Sequence, residues 1–348
     1  MNPTLIATAD PDFADLAHAE ITAVSPQAQF SPPIVNGVWL VETAVSFFDL
    51  AAHWQQQPPT FLRHISPIQA SLPLRGQPSD VHTLNELLQA DLIDLIDPEL
   101  SFSVQARVLG QQPYKAFDLN QTLSQTITAV TGATLDVRQP TQILSVVVGA
   151  ETGYMGLSLA AHNLSDWAGG RRRFARDKQQ ISRAEFKLLE AIEWFNIPLP
   201  PRGVVLDLGA APGGWTRILR QHDQYVTAVD PAWLHPTLYN DPSVRHLHLT
   251  AEAYLEADPD QFDLIVNDMR LDARDSARLM AAYAYCLYRH GTALITLKLP
   301  QENRPAIIDH SFNILQRAYT IIGARQLFHN RSEITVYLQP KSYDKIQV

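Results

Sequence analysis

Two lysines and two carboxylates in this 348-residue chain stand where proton transfer at a bound hydroxyl would need them. Phe262-Asp-Leu-Ile-Val-Asn-Asp268 reads as a buried strand ending in an aspartate, and Thr292-Ala-Leu-Ile-Thr-Leu-Lys298 as one ending in a lysine. In an open α/β sheet the ligand lies outside the carboxyl ends of the strands, so Asp268 and Lys298 are expected at one cleft. A final strand entering as Arg331-Ser332-Glu333-Ile334 begins at the same edge if it runs antiparallel, which adds Glu333. Lys187 falls at helical spacing from Ala184 and Ala191, inside the apolar face formed with Leu188, Ile192 and Phe195. Its ammonium group would be partly desolvated unless it pointed into a polar cleft; the alternative is a lysine that snorkels to water. Taken singly, each charge reads as an ordinary surface or capping residue. Their convergence on one edge is what points to a site.

The same edge carries a turn suited to a nucleotide. Val204-Val-Leu-Asp-Leu-Gly-Ala-Ala-Pro-Gly-Gly-Trp-Thr216 is an apolar strand running into a glycine-rich turn that opens a helix. Asp207 and Gly209 end the strand, Gly213 and Gly214 admit positive φ without a side chain, and Pro212 pre-sets a turn. A dinucleotide site would read G-x-G-x-x-G; this one reads D-x-G-x-x-P-G-G-W. The bland reading is a tight β-α turn with no ligand.

Elements able to hold these residues follow from periodicity. From about Ile181, strand candidates at 203–208, 225–230, 244–249, 262–268 and 292–298 alternate with helical patterns, as in a doubly wound sheet. Thr320 to Phe328 and Ile334 to Leu338 are separated by too few residues for a parallel crossover and are expected to form an antiparallel hairpin. Ser182-Arg183-Ala184-Glu185 has the form of a capping box, which predicts a helix starting at Ser182. Upstream, residues 1–75 alternate strand and helix in a β-α-β-β-α-β-like order. In the block 76–170, Asp80 to Ile96 and Asp118 to Thr131 read as helices, and Ser101 to Leu109, Gln142 to Val148 and Tyr154 to Ala160 as strands.

The composition, 46% hydrophobic and 18% charged, is that of a globular protein, with no apolar run near the ~20 residues of a membrane span. The amino terminus lacks a basic region followed by a long apolar one, so a cytoplasmic location is expected. The single cysteine, Cys286, lies in a helical pattern and reads as a packed thiol. The twelve histidines form no metal-ligand spacing beyond His246-x-His248. Net charge is −9, yet acid is concentrated in residues 1–100, with 12 Asp/Glu against 2 Lys/Arg. The densest basic run, Arg171, Arg172, Arg173, Arg176, Lys178, Arg183 and Lys187, leads into the glycine-rich segment. It reads either as a phosphate-backbone contact or as a solvated linker face.

The string D-x-x-x-x-P-G-G-W from Asp207 resembles the cofactor loop of the FtsJ-like ribose 2′-O-methyltransferases. Lys187, Asp268, Lys298 and Glu333 match that family's K-D-K-E tetrad in order and context: S-R-A-x-[FY]-K-L, N-D-M, L-K-L-P and S-x-E. The narrower likeness, with the upstream blocks, is to the RlmM-type 23S rRNA cytidine 2′-O-methyltransferases. The resemblance implies a class I, Rossmann-like methyltransferase domain at 171–348, with a seven-stranded sheet and terminal antiparallel hairpin. Ahead of it come a ferredoxin-like domain at 1–75 and a THUMP-like RNA-binding domain at 76–170. It implies S-adenosyl-L-methionine as cofactor, held by Ser182, Asp207, Gly209, Ala211, Pro212, Gly213, Gly214, Trp215, Asp230, Glu252 and Asp268. In the family's mechanism Lys298 is the base, Lys187 and Glu333 orient the ribose, and Asp268 orients Lys298 beside the methionine moiety. Asp230 would accept from the adenosine ribose. The implied partner is RNA, 23S rRNA or its precursor, with neither membrane nor DNA expected. Two departures stand out: Ala211 where close relatives are expected to carry cysteine, and Glu252 where the family usually offers an aspartate near adenine.

The chemistry fits these residue types. A ribose hydroxyl is a poor nucleophile and needs in-line positioning and a base. Free lysine is protonated at neutral pH, and a nearby cation or desolvation pushes it toward the neutral form. Two other readings remain. One is methyl transfer to a base nitrogen or a small molecule, for which [DNS]-P-P-[YFW] would be expected where the chain has Asn267-Asp268-Met269-Arg270. The other is a non-catalytic RNA-binding protein that kept the fold.

Overall fold

The computed structural model describes residues 4–341. Residues 1–3 and 342–348, which include the start of the amino-terminal segment read above for a leader, lie outside the described residues. The chain divides into two compact units, one up to Arg172 and one from Arg173.

In the first unit, β1 (Leu5–Ala9), α1 (Ala14–Val24), β2 (Gln29–Phe30), β3 (Val38–Glu42), α2 (Phe47–Gln56) and β4 (Leu62–Pro67) follow one another. Their sheet has the order β2-β3-β1-β4 with every pair antiparallel. That is the ferredoxin-like solution to a β-α-β-β-α-β chain. Ser46 starts α2 by accepting from the Asp49 amide at 3.2 Å. The second sheet is built from β5 (Ala70–Pro73), β6 (Phe102–Val108), β7 (Gln142–Val148) and β8 (Thr152–Leu159), in the order β5-β8-β7-β6. It is covered by α3 (Asp80–Leu87) and α4 (Ala116–Thr131). Here β6 and β7 run parallel, and α4 is the crossover that such pairing requires. Leu84, Leu119, Leu123 and Ile127 of the helices pack on Val104, Leu144 and Val146 of the sheet. The helical pattern expected from Asp80 to Ile96 is one run of changing pitch: α3 widens over Leu88–Leu92 and tightens over Ile93–Leu95.

The second unit holds α5 (Glu185–Phe195), β9 (Val204–Leu208), α6 (Gly214–Gln221), β10 (Tyr225–Val229), β11 (Val244–Leu247) and α7 (Ala251–Glu256). It continues with β12 (Phe262–Asn267), α8 (Ala273–Ala282), β13 (Leu287–Lys298), α9 (Arg304–Leu315), β14 (Tyr319–Arg325) and β15 (Glu333–Pro340). The seven strands order as β11-β10-β9-β12-β13-β15-β14, parallel from β11 to β13, with β15 antiparallel to both neighbours. Val205, Val226, Leu264 and Leu294 pack with Leu188, Trp215, Ile218 and Leu219 in one core. Strand order reverses between β9 and β12, so a cleft opens outside their carboxyl ends. The terminal hairpin forms as expected, but β14 stops at Arg325 rather than Phe328. The next backbone groups are taken elsewhere: Leu327 N–H by Asn330 Oδ1 at 2.8 Å, and Phe328 and His329 N–H by Glu190. Cys286 is buried, and burial pushes its thiol up to about 11.

Candidate active site

The helix carrying Lys187 is anchored before it begins. A helix start at Ser182 was expected; α5 starts at Glu185, after a tight turn in which Glu185 N–H reaches Ser182 C=O at 3.4 Å. Only the acidic half of the capping box forms. Glu185 Oε1 accepts from the amides of Ile181 (2.6 Å) and Ser182 (3.2 Å), while Oε2 receives Arg217 Nη1 of α6 at 2.8 Å. Trp215 Nε1 donates to Ala184 C=O at 2.8 Å, a second tie to α6. The residues after β9 thus hold α5 as well as forming the turn.

In that turn Gly209 and Gly213 have φ of +70° and +105°, conformations that resist any side chain. A Cβ on Gly209 would sit 2.2 Å from Met269 Cγ, and one on Gly213 would sit 2.4 Å from Leu238 Cδ1. The space at Gly213 is therefore claimed by the protein's own packing rather than by the cleft. The cleft, about 1940 Å³, is lined by Ser182, Lys187, Asp207, Gly209, Ala211, Pro212, Gly214, Trp215, Asp230, Glu252, Asp268, Lys298 and Glu333. Of the residues assigned from sequence, Gly213 stands outside that lining.

Asp207 is fully buried and accepts from Thr216 Oγ1 at 2.7 Å. Burial pushes its carboxyl up to about 7, against the Thr216 hydrogen bond and with the help of the nearby Asp268 and Asp230 charges. Asp230, just past β10, is fixed by the amides of Ala211 (Oδ2, 3.1 Å) and Ala232 (Oδ1, 2.8 Å). Carboxylate oxygens have lone pairs beyond these, so Asp230 keeps capacity to accept from a hydroxyl. His246 of β11 and His248 brace the loop after β10, with ring nitrogens 3.1 and 3.4 Å from the carbonyls of Asp230 and Pro231.

The charged quartet meets in the same cleft. Lys298 Nζ lies 2.6 Å from Asp268 Oδ1 and 2.8 Å from Glu333 Oε2. Lys187 Nζ lies 3.2 Å from Asp268 Oδ1 and 2.5 Å from Glu333 Oε1. The register explains the placement: Lys298 and Glu333 are direct cross-strand partners on β13 and β15. Their side chains keep partial exposure, 22% for Lys298 and 14% for Lys187, enough for a ligand to reach both. Burial works against the Lys187 ammonium, but Asp268 and Glu333 overcome it and hold its pKa above the ordinary lysine value. For Glu333 burial would favour the neutral acid; Lys298 and then Lys187 outweigh it and keep the carboxyl below its usual range.

Sequence reasoning missed Thr296. It is fully buried, donates to Asp268 Oδ1 at 2.6 Å and accepts from Lys298 Nζ at 2.9 Å. Its signal was spacing, since on a strand residue i−2 shares the face of residue i.

The residues present fit a cationic nucleoside cofactor. The turn lines the cleft with the small Gly209, Ala211 and Gly214, and the wall beside it is acidic through Asp207, Asp230, Glu252 and Asp268. The volume exceeds the ~300–1,000 Å³ of a typical small-ligand pocket, leaving space for a second ligand beside the quartet.

The sheet order with antiparallel β15 between β13 and β14, and the turn after β9, give the second unit the fold of the class I, Rossmann-like methyltransferases. Residues 180–301 match the family model described as FtsJ-like methyltransferase. Among curated relatives, ribosomal RNA large subunit methyltransferase M of Alkalilimnicola ehrlichii is 36% identical over 181 residues, 49% of each chain. The protein of that name from Pseudomonas syringae pv. syringae is 30% identical over 217 residues, 59% of each. The chain spans about half the length of the first of these relatives. Among solved structures, TrmN from Thermus thermophilus aligns at a TM-score of 0.41 and 19% identity, covering 97% of this chain and 99% of that one, a likeness too loose to bear on function.

Proposed function

We propose that this chain is an S-adenosyl-L-methionine-dependent RNA ribose 2′-O-methyltransferase acting on a cytidine of 23S rRNA. The observation that carries the reading is the quartet: two lysine nitrogens and two carboxyl groups interlocked within 3.2 Å in a cleft with room for a cofactor and a second ligand. The names of the relatives support large-subunit ribosomal RNA as the substrate class. When bound, S-adenosylmethionine would supply an electrophilic methyl on its sulfonium. Ser182, the turn from Gly209 to Trp215, and Asp207, Asp230, Glu252 and Asp268 would hold it.

Lys298 Nζ would release one of its three protons to solvent as the substrate enters, and its freed lone pair would then receive the proton of the ribose 2′-hydroxyl. In the resting site its three hydrogen-bonding directions are filled by Asp268, Thr296 and Glu333. One partner must therefore yield to an incoming hydroxyl. Glu333 is the candidate, because its other oxygen already pairs with Lys187 and can remain there. Lys187, held as an ammonium, would then orient the ribose together with Glu333, and Asp268 would keep Lys298 aimed.

The proposal extends to the upstream blocks, 1–75 as a ferredoxin-like domain and 76–170 as a THUMP-like RNA-binding domain; the sheet of β1 to β4 supports the first, and the second sheet, whose edge strand β5 begins already at Ala70, supports the other. It also includes a cytoplasmic location. Among the described residues no helix is long and apolar enough to cross a membrane. The test is transfer of tritium from labelled cofactor to a 23S rRNA transcript, followed by mapping of the 2′-O-methyl group. Label on a base, or no label with cofactor bound, would overturn the reading.

A further inference from the structure

The cleft wall beyond the quartet is made of rings. Phe174 and Phe186 stack with centroids 5.8 Å apart and planes at 12°, and His329 lies 5.5 Å from the first and 5.1 Å from the second. All three are half-buried and line the cleft that holds Lys187 and Lys298. The phenylalanines are not members of the apolar core around Leu188 and Trp215, so core filling does not account for them. Phe186 immediately precedes Lys187 on α5. His329 is held against the same helix by Glu190, a buried carboxylate one turn beyond Phe186. It accepts from the amides of Phe328 and His329 at 2.8 and 2.9 Å, across 138 and 139 residues of chain.

The cleft lining carries both charges. Besides the acidic Asp230, Glu252 and Asp268 it includes Arg176, Arg183 and Arg331, each exposed and each within three residues in sequence of Phe174, Phe186 or His329. A flat ring surface rimmed by arginines and adjoining a hydroxyl-handling lysine suits a nucleotide, its base on the rings and its phosphates on the guanidiniums.

We propose that Phe186, His329 and Phe174 form the stacking wall for the base of the acceptor nucleotide, setting its ribose against Lys298. This rests on the RNA reading above. Holding the base by its face makes ring identity, rather than base-edge hydrogen bonding, the positioning element, and Glu190 a positioning residue that acts through His329.

The test uses the full chain and a single-stranded ribo-oligonucleotide carrying 2-aminopurine, whose fluorescence falls on stacking. Wild type should quench it. Phe186→Leu should bind about 5- to 150-fold more weakly, the range expected for loss of one stacked base. Phe186→Tyr should restore both quench and affinity. Calorimetry with S-adenosylmethionine on each variant reports an intact cofactor cleft. If Phe186→Leu fails to fold, His329→Gln carries the same comparison. No quench by wild type, or equal quench and affinity in the Leu and Gln variants, would overturn the stacking wall. Quench that behaves as expected, without methyl transfer to rRNA, would leave the wall standing and remove the catalytic reading instead.

Discussion

Lys298 Nζ and Glu333 Oε2 meet at 2.8 Å because their residues are directly opposed in the only register β13 and β15 adopt. The pair is a property of the sheet: a one-residue slip would turn one of the two side chains to the other face. Asp268 sits at the end of the neighbouring parallel strand, and Lys187 closes the ring from α5.

Lys298→Ala should therefore abolish turnover while sparing the cofactor. Removing a positioned base typically costs about 10²- to 10⁴-fold. The turn after β9 and Asp230 do not depend on Lys298, so calorimetry should give an S-adenosylmethionine affinity close to wild type. Substantial methyl transfer by the variant would take Lys298 out of the role of base.

Thr296→Val probes the residue beneath the quartet. The hydroxyl bridges Asp268 and Lys298; Asp268 Oδ1 keeps both lysines as donors, so the loss is that of one hydrogen bond to a charged group, about 1.5–3 kcal/mol. If that hydrogen bond aims Lys298, kcat should fall roughly tenfold with KM for RNA little changed. A fall in thermal stability with wild-type kcat would assign Thr296 to packing alone.

Much of this site was legible beforehand, for a geometric reason. Asp268 and Lys298 close near-continuous apolar runs of the kind a buried parallel strand shows, and the rule that ligands lie outside carboxyl strand ends needs no tertiary detail. Glu333 required only that a short connection forbids a parallel crossover. What escaped depends on contacts between distant segments. Thr296 is an ordinary strand former by type. Glu190 lies among helix residues, and its amide partners are 138 and 139 positions away. The early end of β14 follows from those same bonds. β2 has two residues and β5 has four, too short for a periodic signal, and β5 closes on a proline at a sheet edge. The glycine at 213 was readable as a positive-φ position, but the Leu238 methyl that excludes a side chain was not.

Asp207→Asn should change the pH dependence of stability. With its folded-state pKa raised to about 7 by burial, Asp207 keeps in the native state a proton that the unfolded chain has released. Its contribution is thus fully present below the unfolded value and is lost as pH rises from about 4 to about 7. At about 1.36 kcal/mol per unit this amounts to about 4 kcal/mol at most. Asparagine preserves an acceptor for Thr216 without titrating. Denaturant unfolding without cofactor should show the variant gaining on wild type between pH 4 and pH 7. A constant difference across that range would mean that Asp207 does not titrate there.

Gly213→Ala tests the turn itself. The substitution imposes a side chain at φ +105° and drives a Cβ into Leu238, so it should lower Tm as well as cofactor affinity. Pairing it with Leu238→Ala relieves the collision but not the backbone strain. Recovery of affinity in the double variant would mark packing as the cause. No recovery would mark the left-handed conformation. Wild-type behaviour of the single variant would show that the turn tolerates what its geometry excludes.

The exposed arginines of the cleft make the last prediction. The basic run from Arg171 is not uniform: Arg172 packs its guanidinium 4.2 Å from the Trp167 ring centroid, whereas Arg176 and Arg183, like Arg331 outside the run, are exposed on the cleft. If those three meet phosphates, each contact contributes about 0.7 to the log-log salt dependence of single-stranded RNA binding. Replacing all three with alanine should therefore flatten the slope by about 2 and weaken binding at low salt. Methyl transfer should fail through KM more than kcat, because a phosphate clamp binds ground and transition states alike. The control is Arg274→Ala, an exposed arginine already paired within its own helix start to Asp272 at 2.8 Å, which should leave the slope unchanged. A triple variant with the wild-type slope and KM would mean that the cleft's positive rim is solvated and that RNA is held elsewhere on the chain.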